Sequence, residues 1–164
     1  MEYDESIKFF KAEDEDQDTW LLLTHTRYAI FRAREKELQK YGTSPEQVSL
    51  LFVVQALGNK ATQASLSRYL LREPHTISAL VERMAKRGLV KKVKDLDRKN
   101  RIRVVVTERG RKAYLQSTNR GPIHRIMGEL KEKEKKQMRH YLEIIFAKAR
   151  QETPEDRNNL PLLE

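Results

Sequence analysis

The sequence predicts a mainly α-helical fold with one small β-hairpin, in the α+β class. Apolar residues recur at helical spacing in several segments, and two short runs of alternating residues follow each other at 89–94 and 101–106. Only six glycines and five prolines interrupt the 164 residues. With 38% hydrophobic and 35% charged residues, the composition indicates a small core and long amphipathic helices.

The first two helices are predicted from their spacing and their end signals. The segment 18–40 has broadly helical apolar spacing, and Gly42 after it suits a left-handed helix end. For the second helix, Ser44 is the expected N-cap, Pro45 fits the first position, and Gln47 completes a capping-box-like pattern. We therefore expect this helix to run through the apolar sequence that ends before Gly58.

Two further helices are predicted in the middle of the chain. The short run TQASLSRYLL can be capped by Thr62, and Pro74 suits the start of the next helix, which Gly88 ends. That helix shows one stripe for burial at i, i+3, i+4 and i+7, made of Ile77, Leu80, Val81 and Met84. Its other face begins with the short polar residues His75, Thr76 and Ser78 and continues with Arg83.

The hairpin follows directly. In its second strand Ile102, Val104 and Val106 alternate with Arg101, Arg103 and Val105, which predicts one buried face and one basic face. Between the strands lies the strongly charged loop 95–101. Thr107 and Glu108 mark the start of a fifth helix.

The C-terminal region is predicted to be helical with one interruption, at 119–122, where a proline follows a glycine. The last helix has a wide apolar stripe that consists of Met138, Tyr141, Leu142, Ile145, Phe146 and Ala149. The terminal helices have more apolar surface than one small domain can cover, so we expect two chains to pair through them as a homodimer. The alternative is that both helices simply cover their own domain.

These elements predict the following organisation. An acidic arm spans 1–18, dimerisation helices span 19–44 and 113–151, a middle domain that contains the short helix, the polar-faced helix and the hairpin spans 45–112, and an irregular tail spans 152–164. The arm could order against the basic middle segment of a partner subunit or remain disordered.

Positive charge is concentrated in the middle of the chain. The net charge is +9, and the segment 60–112 alone has 16 Lys and Arg against 5 Asp and Glu, or +11. Such a localised excess is typical of a protein that binds a polyanion. The alternative is a basic surface that serves only solubility.

Several functional classes are disfavoured. The chain has no cysteine, which excludes disulfides, thiolate metal sites and thiol redox sensing. Its acidic N-terminus is unlike a signal peptide, and no run approaches the length of a membrane span, so we expect a cytoplasmic protein with no membrane partner. The four histidines are too scattered to nominate a metal site, and no pattern nominates a catalytic residue or a cofactor. We therefore predict that the protein is not an enzyme.

The order of a helix, a short helix, a polar-faced helix and a basic hairpin predicts a winged helix-turn-helix. In this unit the second helix of the pair enters the major groove of DNA, with residues near its N-terminus at base edges. The hairpin reaches the neighbouring minor groove, where arginine is favoured by the strong negative potential. The predicted DNA-binding residues are Arg72, His75, Thr76, Ser78, Arg83, Arg98, Lys99, Asn100 and Arg101.

The segment 66–110 resembles the MarR family of transcriptional regulators. The similar parts are the run TISALVERMAKRGLV, the wing residues Asp95, Asp97 and Arg98, and the entry to the next helix at Val106, Thr107 and Gly110. The resemblance implies a dimer of winged-helix subunits with intertwined terminal helices, which binds palindromic operators in double-stranded DNA and usually represses. It also implies, for many members, release of DNA when a small, often aromatic effector binds between the dimerisation and DNA-binding regions.

Individual roles follow from the same resemblance. Arg98 is similar to the wing arginine of the minor groove, and Asp97 to the acid that orients a basic side chain there. The stretch from Asp97 to Thr107 is one residue longer than the commonest pattern, so Arg98, Lys99 and Arg101 are each candidates for the wing tip. Candidates for an effector pocket on the first helix are Trp20, His25, Tyr28 and Phe31, which otherwise pack in a dimer core.

The main functional hypothesis is therefore a dimeric, sequence-specific, DNA-binding regulator. The rival hypothesis is a winged-helix module that binds a protein or RNA and has no specific affinity for duplex DNA.

Overall fold

The computed structural model describes residues 14–94 and 102–152. These residues form seven α-helices and one two-stranded antiparallel sheet, joined in places by short 3-10 turns. The elements in chain order are α1 (Glu15–Gln39), α2 (Pro45–Leu57), α3 (Gln63–Leu70), α4 (Pro74–Lys86), β1 (Val90–Lys94), β2 (Ile102–Val106), α5 (Glu108–Gln116), α6 (Gly121–Gly128) and α7 (Glu132–Gln151). The predicted fold class is confirmed.

Helix α1 begins three residues earlier than the sequence predicts. Asp14 is its N-cap and accepts a hydrogen bond from the backbone N–H of Gln17 at 2.7 Å. The acidic residues Glu15, Asp16 and Asp18 then occupy the first turn, where negative charge is stabilised by the positive end of the helix. The last residues of the predicted acidic arm therefore belong to α1. At the other end, Gly42 adopts the predicted left-handed conformation with φ +63°.

Helix α2 confirms its predicted start but not its capping box. Ser44 accepts from the backbone N–H of Gln47 at 3.4 Å, and Pro45 is the first helical residue. The Gln47 side chain instead accepts a hydrogen bond from Arg87 at 2.9 Å, and the Ser44 hydroxyl donates to Glu46. A guanidinium from the end of α4 thus takes the acceptor that the box would have used, and it ties α4 to the start of α2.

The core lies in the middle segment of the chain. Its buried apolar side chains come from α2, α3, α4, α5 and the hairpin, and the largest are Leu50, Leu51, Leu66, Ile77, Val81, Met84, Val90 and Val104. All four residues of the predicted α4 stripe are buried, as the helical spacing requires.

The hairpin pairs Val90 with Val106 and Lys94 with Ile102. Val104 is fully buried and Val106 is half-buried, but the prediction of a buried Ile102 is wrong because its side chain is 52% exposed. Ile102 pairs with the last residue of β1, beyond the reach of the core. The expected basic face also differs, since Arg103 donates to Asn59 at 2.7 Å and folds back towards the α2–α3 connection.

Helix α5 starts against the base of the hairpin. Thr107 caps the helix by accepting from the N–H of Gly110 at 3.0 Å, and its hydroxyl also donates to the carbonyl of Gly88. Gly110 is buried so closely that an added Cβ would lie 2.0 Å from the carbonyl oxygen of Leu89. The close approach of the two backbones therefore requires glycine at this position.

The predicted interruption between α5 and α6 is confirmed. Arg120, at φ +51°, turns the chain between the two helices. Arg34 of α1 pairs with Glu37 and donates to the carbonyl of Ser117, while Glu37 accepts from the N–H of Gly121 at 3.0 Å. Both charged side chains are only 12% exposed. One ion pair on α1 therefore binds the end of α5 and the start of α6.

The apolar faces of the terminal helices remain open to solvent in the single chain. α1 has one buried residue, Leu38, and α7 has none, while their exposed large apolar side chains include Trp20, Leu22, Tyr28, Tyr141, Ile144, Ile145 and Phe146. The two helices thus do not simply cover their own domain, which favours the predicted pairing of two chains. None of the helices in the described ranges has the length and apolarity needed to cross a membrane.

We predict that Gly110→Ala lowers the free energy of unfolding by about 2–4 kcal/mol, because the new methyl group overlaps a backbone carbonyl that cannot move without shifting β1. Urea denaturation at one fixed protein concentration measures this change.

Gly128→Ala is the matched control. Gly128 ends α6 and has no atom within 4 Å of an added Cβ, so alanine should leave stability unchanged or raise it by up to about 1 kcal/mol. Equal stability of both variants would contradict the close contact at Gly110.

Candidate nucleic-acid interface

Helices α3 and α4 form a helix-turn-helix pair with a rigid turn. α3 is capped by Thr62, which accepts from the N–H of Ser65 at 3.1 Å, while Ser65 accepts from the N–H of Thr62 at 2.8 Å. At its other end, Leu71 adopts a left-handed conformation with φ +50°. Because each helix has a defined end, the relative direction of the two helices is fixed by the three residues between them.

Two backbone hydrogen bonds and one side chain hold that turn. The N–H of Leu71 donates to the carbonyl of Arg68 at 3.3 Å, and the N–H of Arg72 donates to the carbonyl of Ser67 at 3.1 Å. This pattern is typical of helix ends that are closed by a left-handed residue. The buried hydroxyl of Ser67 also donates to the carbonyl of Arg72. The backbone that leads into α4 is therefore anchored to α3.

Most of the predicted DNA-binding residues on this unit lie around the start of α4. Arg72, His75 and Thr76 are exposed, Ser78 is half-buried, and Arg83 is exposed one to two turns further along the helix. The N-terminus of a helix has partial positive charge and free N–H groups, so it favours phosphate groups. This end of α4 therefore combines polar side chains that suit base edges with positive charge that suits the DNA backbone.

The hairpin adds further cations beside α4. Lys91, Lys92 and Lys94 of β1 are exposed, and Lys92 forms an ion pair with Glu82 of α4. The predicted wing residues Asp97, Arg98, Lys99, Asn100 and Arg101 lie outside the described residues. Their placement at a wing tip remains a prediction from the sequence.

The base of the hairpin is fixed to the helix-turn-helix. The N–H of Val104 donates to the carbonyl of Ala61 at 2.8 Å, and Arg103 forms an isolated antiparallel bridge with Thr62, the N-cap of α3. The loop before α3 thus acts as a short third strand. The described part of the wing is held in a set position relative to α3 and α4.

A cavity of about 440 Å³ lies between α1, the start of α2 and α4. Its walls are Arg27, Phe31, Ser44, Pro45, Glu46, Gln47, Ser49, Leu70, Arg72, Thr76, Ile77, Leu80 and Arg83. Three guanidinium groups and one carboxylate therefore surround a partly apolar space. Thr76 and Arg83 of α4 line this cavity and are also exposed, as is Arg72 in the turn before α4.

A larger and more apolar cavity of about 820 Å³ lies between α1 and the helices α6 and α7. Among the predicted effector residues, Phe31 lines both cavities, whereas Trp20, His25 and Tyr28 line neither. Tyr28 is exposed, and the guanidinium of Arg27 lies 5.2 Å from the centre of its ring.

Several residues of the turn and of the two cavities were not singled out from the sequence. Arg27 lines both cavities, Ser67 anchors the turn, and Leu71 closes α3 in a left-handed conformation that usually favours glycine. No local pattern marks Ser67 or Leu71. Within the described ranges, no group of three or more His, Asp or Glu side chains forms an arrangement suited to a metal ion.

Comparison with known proteins gives a consistent result. The sequence model described as MarR family matches residues 41–99, which include α2, α3, α4 and β1. No curated protein sequence matches the chain.

Solved structures match over a longer part of the chain. The ligand-free organohalide-sensing transcriptional regulator RdhR-CbdbA1625 is 25% identical, with a TM-score of 0.80 over 95% of this chain and 98% of that chain. The same regulator bound to 2,4-dichlorophenol is 28% identical, with a TM-score of 0.72 over 84% of this chain and 86% of that chain. A MarR mutant from E. coli in complex with operator DNA is 15% identical, with a TM-score of 0.72 over 81% and 99%, and this likeness concerns the fold alone.

Proposed function

We propose that this chain, which belongs to the MarR family of transcriptional regulators, is a dimeric repressor that binds palindromic operators in duplex DNA. The observation that supports this most directly is the two-sided character of α4. One side is a buried apolar stripe, and the other begins with exposed polar residues on a turn that Ser67 anchors. A helix built in this way can enter the major groove without losing its own core packing.

The residues at the α4 tip are suited to different parts of the DNA. His75 and Thr76 are exposed at the N-terminus of the helix, from which base edges are reached. Arg72 and Arg83 suit phosphate oxygens, and contacts of this kind supply a large share of the affinity for DNA. Arg98 is the proposed minor-groove residue of the wing, with Asp97 orienting a basic side chain and Lys99, Asn100 and Arg101 beside it.

The terminal helices supply the proposed dimer interface. The exposed apolar faces of α1 and α7 bury each other when two chains pair, which brings together two copies of α4. Because the subunits of such a dimer are related by a two-fold axis, the operator is expected to be a palindrome with two half-sites.

The cavity beside α4 is the proposed effector site. Phe31 gives it an apolar wall, and Arg27, Arg72 and Arg83 give it an excess of positive charge, so a small aromatic acid suits it. Since Arg72 in the turn before α4 and Thr76 and Arg83 on α4 are also proposed to face DNA, an anion in the cavity competes with DNA phosphates for the same side chains. Release of the operator follows from this competition.

We predict that the purified protein binds duplexes selected from its own upstream DNA about a thousandfold or more tightly than random duplexes of equal length at physiological salt. Affinity for both should fall steeply with salt, because several Lys and Arg displace counterions from phosphates. Fluorescence anisotropy measures both constants. Equally weak binding to both duplexes would favour the rival hypothesis of a module that binds protein or RNA.

We predict that Arg98→Ala costs about 1–3 kcal/mol of binding free energy at the selected site, because a minor-groove contact is lost. Lys133→Ala, at the exposed start of α7, removes the same charge outside the winged-helix segment and is the control. An Arg98→Ala affinity equal to that of the control would exclude this residue from the wing contact.

We predict that benzoate or a hydroxybenzoate weakens operator binding and that benzamide, which has no charge, does not. Arg27→Ala should abolish the response while leaving the affinity for DNA unchanged, because Arg27 lines the cavity from α1 and is not on α4. Lys36→Ala, on the same helix but outside the cavity, is the control. A retained response in Arg27→Ala would place the acid elsewhere.

A further inference from the structure

Leu71 combines a left-handed backbone with a half-exposed apolar side chain. Its backbone is left-handed, with φ +50° and ψ 50°, a conformation in which the Cβ of a non-glycine residue is crowded by the following carbonyl. Its side chain is 49% exposed. In the described ranges, Arg120 is the one other non-glycine residue with positive φ.

The fold itself gives no reason for leucine at this position. The turn is closed by the backbone N–H groups of Leu71 and Arg72 and by the hydroxyl of Ser67. Glycine would form the same backbone bonds without the crowding. Leu71 is also absent from the buried core and from the walls of both cavities described above. Strain that persists without a structural benefit is typical of functional positions.

The position of Leu71 shows what its side chain can meet. It directly precedes Arg72, and the whole run 71–76, which leads into α4, is exposed. Ser67 fixes this run to α3, so the backbone of Leu71 is anchored three residues before the start of α4, where His75 and Thr76 are exposed. An apolar side chain on this otherwise polar surface suits an apolar group in the DNA major groove, and the 5-methyl of thymine is the one that DNA offers.

We propose that Leu71 is a specificity-determining residue whose methyl groups contact the 5-methyl of a thymine in each half-site. This inference rests on the proposed binding of duplex DNA. The left-handed turn places the side chain before α4, where it reads a base pair next to those contacted from the helix. The strain at Leu71 is retained because glycine, which would relieve it, has no side chain for the contact.

The test uses Leu71→Gly in the full-length protein and a duplex selected by the wild-type protein from a random pool. The melting temperature of the variant should equal or exceed that of the wild type, since glycine relieves the left-handed strain. Affinity for the selected duplex should fall about three- to tenfold, the loss expected when one or two methyl groups leave an apolar contact. Affinity for random duplexes should not change. Leu71→Asn, which tolerates the backbone conformation but is polar, should bind as weakly as Leu71→Gly.

Arg120→Gly is the matched control. Arg120 has nearly the same backbone conformation, at the corner between α5 and α6 on the other end of the winged-helix segment. Its replacement should also preserve the melting temperature, but it should leave the affinity for the selected duplex within twofold. Sedimentation analysis of each variant checks that the dimer remains intact.

Replacement of each thymine by deoxyuridine identifies the contact, because it removes only the 5-methyl. For the wild type, one position in each half-site should show a three- to tenfold loss, and Leu71→Gly should show no further loss at that position. Unchanged affinity of Leu71→Gly, a loss explained by dissociation of the dimer, or a loss that does not depend on any thymine methyl would each overturn the proposal. Failure to select any duplex would instead refute the proposed DNA binding itself.

Discussion

The ion pair between Arg34 and Glu37 determines how the winged-helix segment is joined to the terminal helices. The helical path is interrupted between α5 and α6, and each helix end there leaves backbone groups without a helical hydrogen-bond partner. Arg34 satisfies the carbonyl of Ser117, and Glu37 satisfies the N–H of Gly121, so that both ends are fixed to α1. Removal of two charges from water costs several kcal/mol, and such a pair adds little net stability. Its contribution is geometric, because it makes α1 and the α5–α6 corner one rigid unit.

Much of the fold could be predicted because its signals are local and repeated. The buried stripe of α4, the cap at Ser44 and the break before Pro122 are each specified by neighbouring residues, and each is confirmed. The errors arise where distant parts of the chain decide the outcome. Alternation gives the side of a strand but not the extent of the core, so Ile102 was expected to be buried. A capping box names a possible partner for Gln47 but cannot anticipate a guanidinium from the end of α4.

The candidate interface was predictable in part for the same reason. The polar start of α4 is visible in the sequence, since Pro74 marks the beginning of the helix and its apolar period defines the other face. The cavity was not predictable, because helical spacing on α1 does not show which residues meet α2 and α4. Phe31 does meet them, whereas Trp20 lies outside the cavity walls. The conformation of Leu71 has no signature in the local sequence, since a leucine gives no signal for a left-handed turn.

The close approach of Gly110 to the carbonyl of Leu89 leaves no space for a side chain between α5 and the hairpin. The two elements therefore form one rigid unit that is joined at Thr107 and Gly110. Each described strand has five residues, which corresponds to a length of about 16 Å. A tilt of α5 by about 5° would move the far end of these strands by about 1.4 Å, roughly half the length of a hydrogen bond. Because the N–H of Val104 and the bridge at Arg103 fix the hairpin to the loop before α3, such a tilt would carry the helix-turn-helix with it.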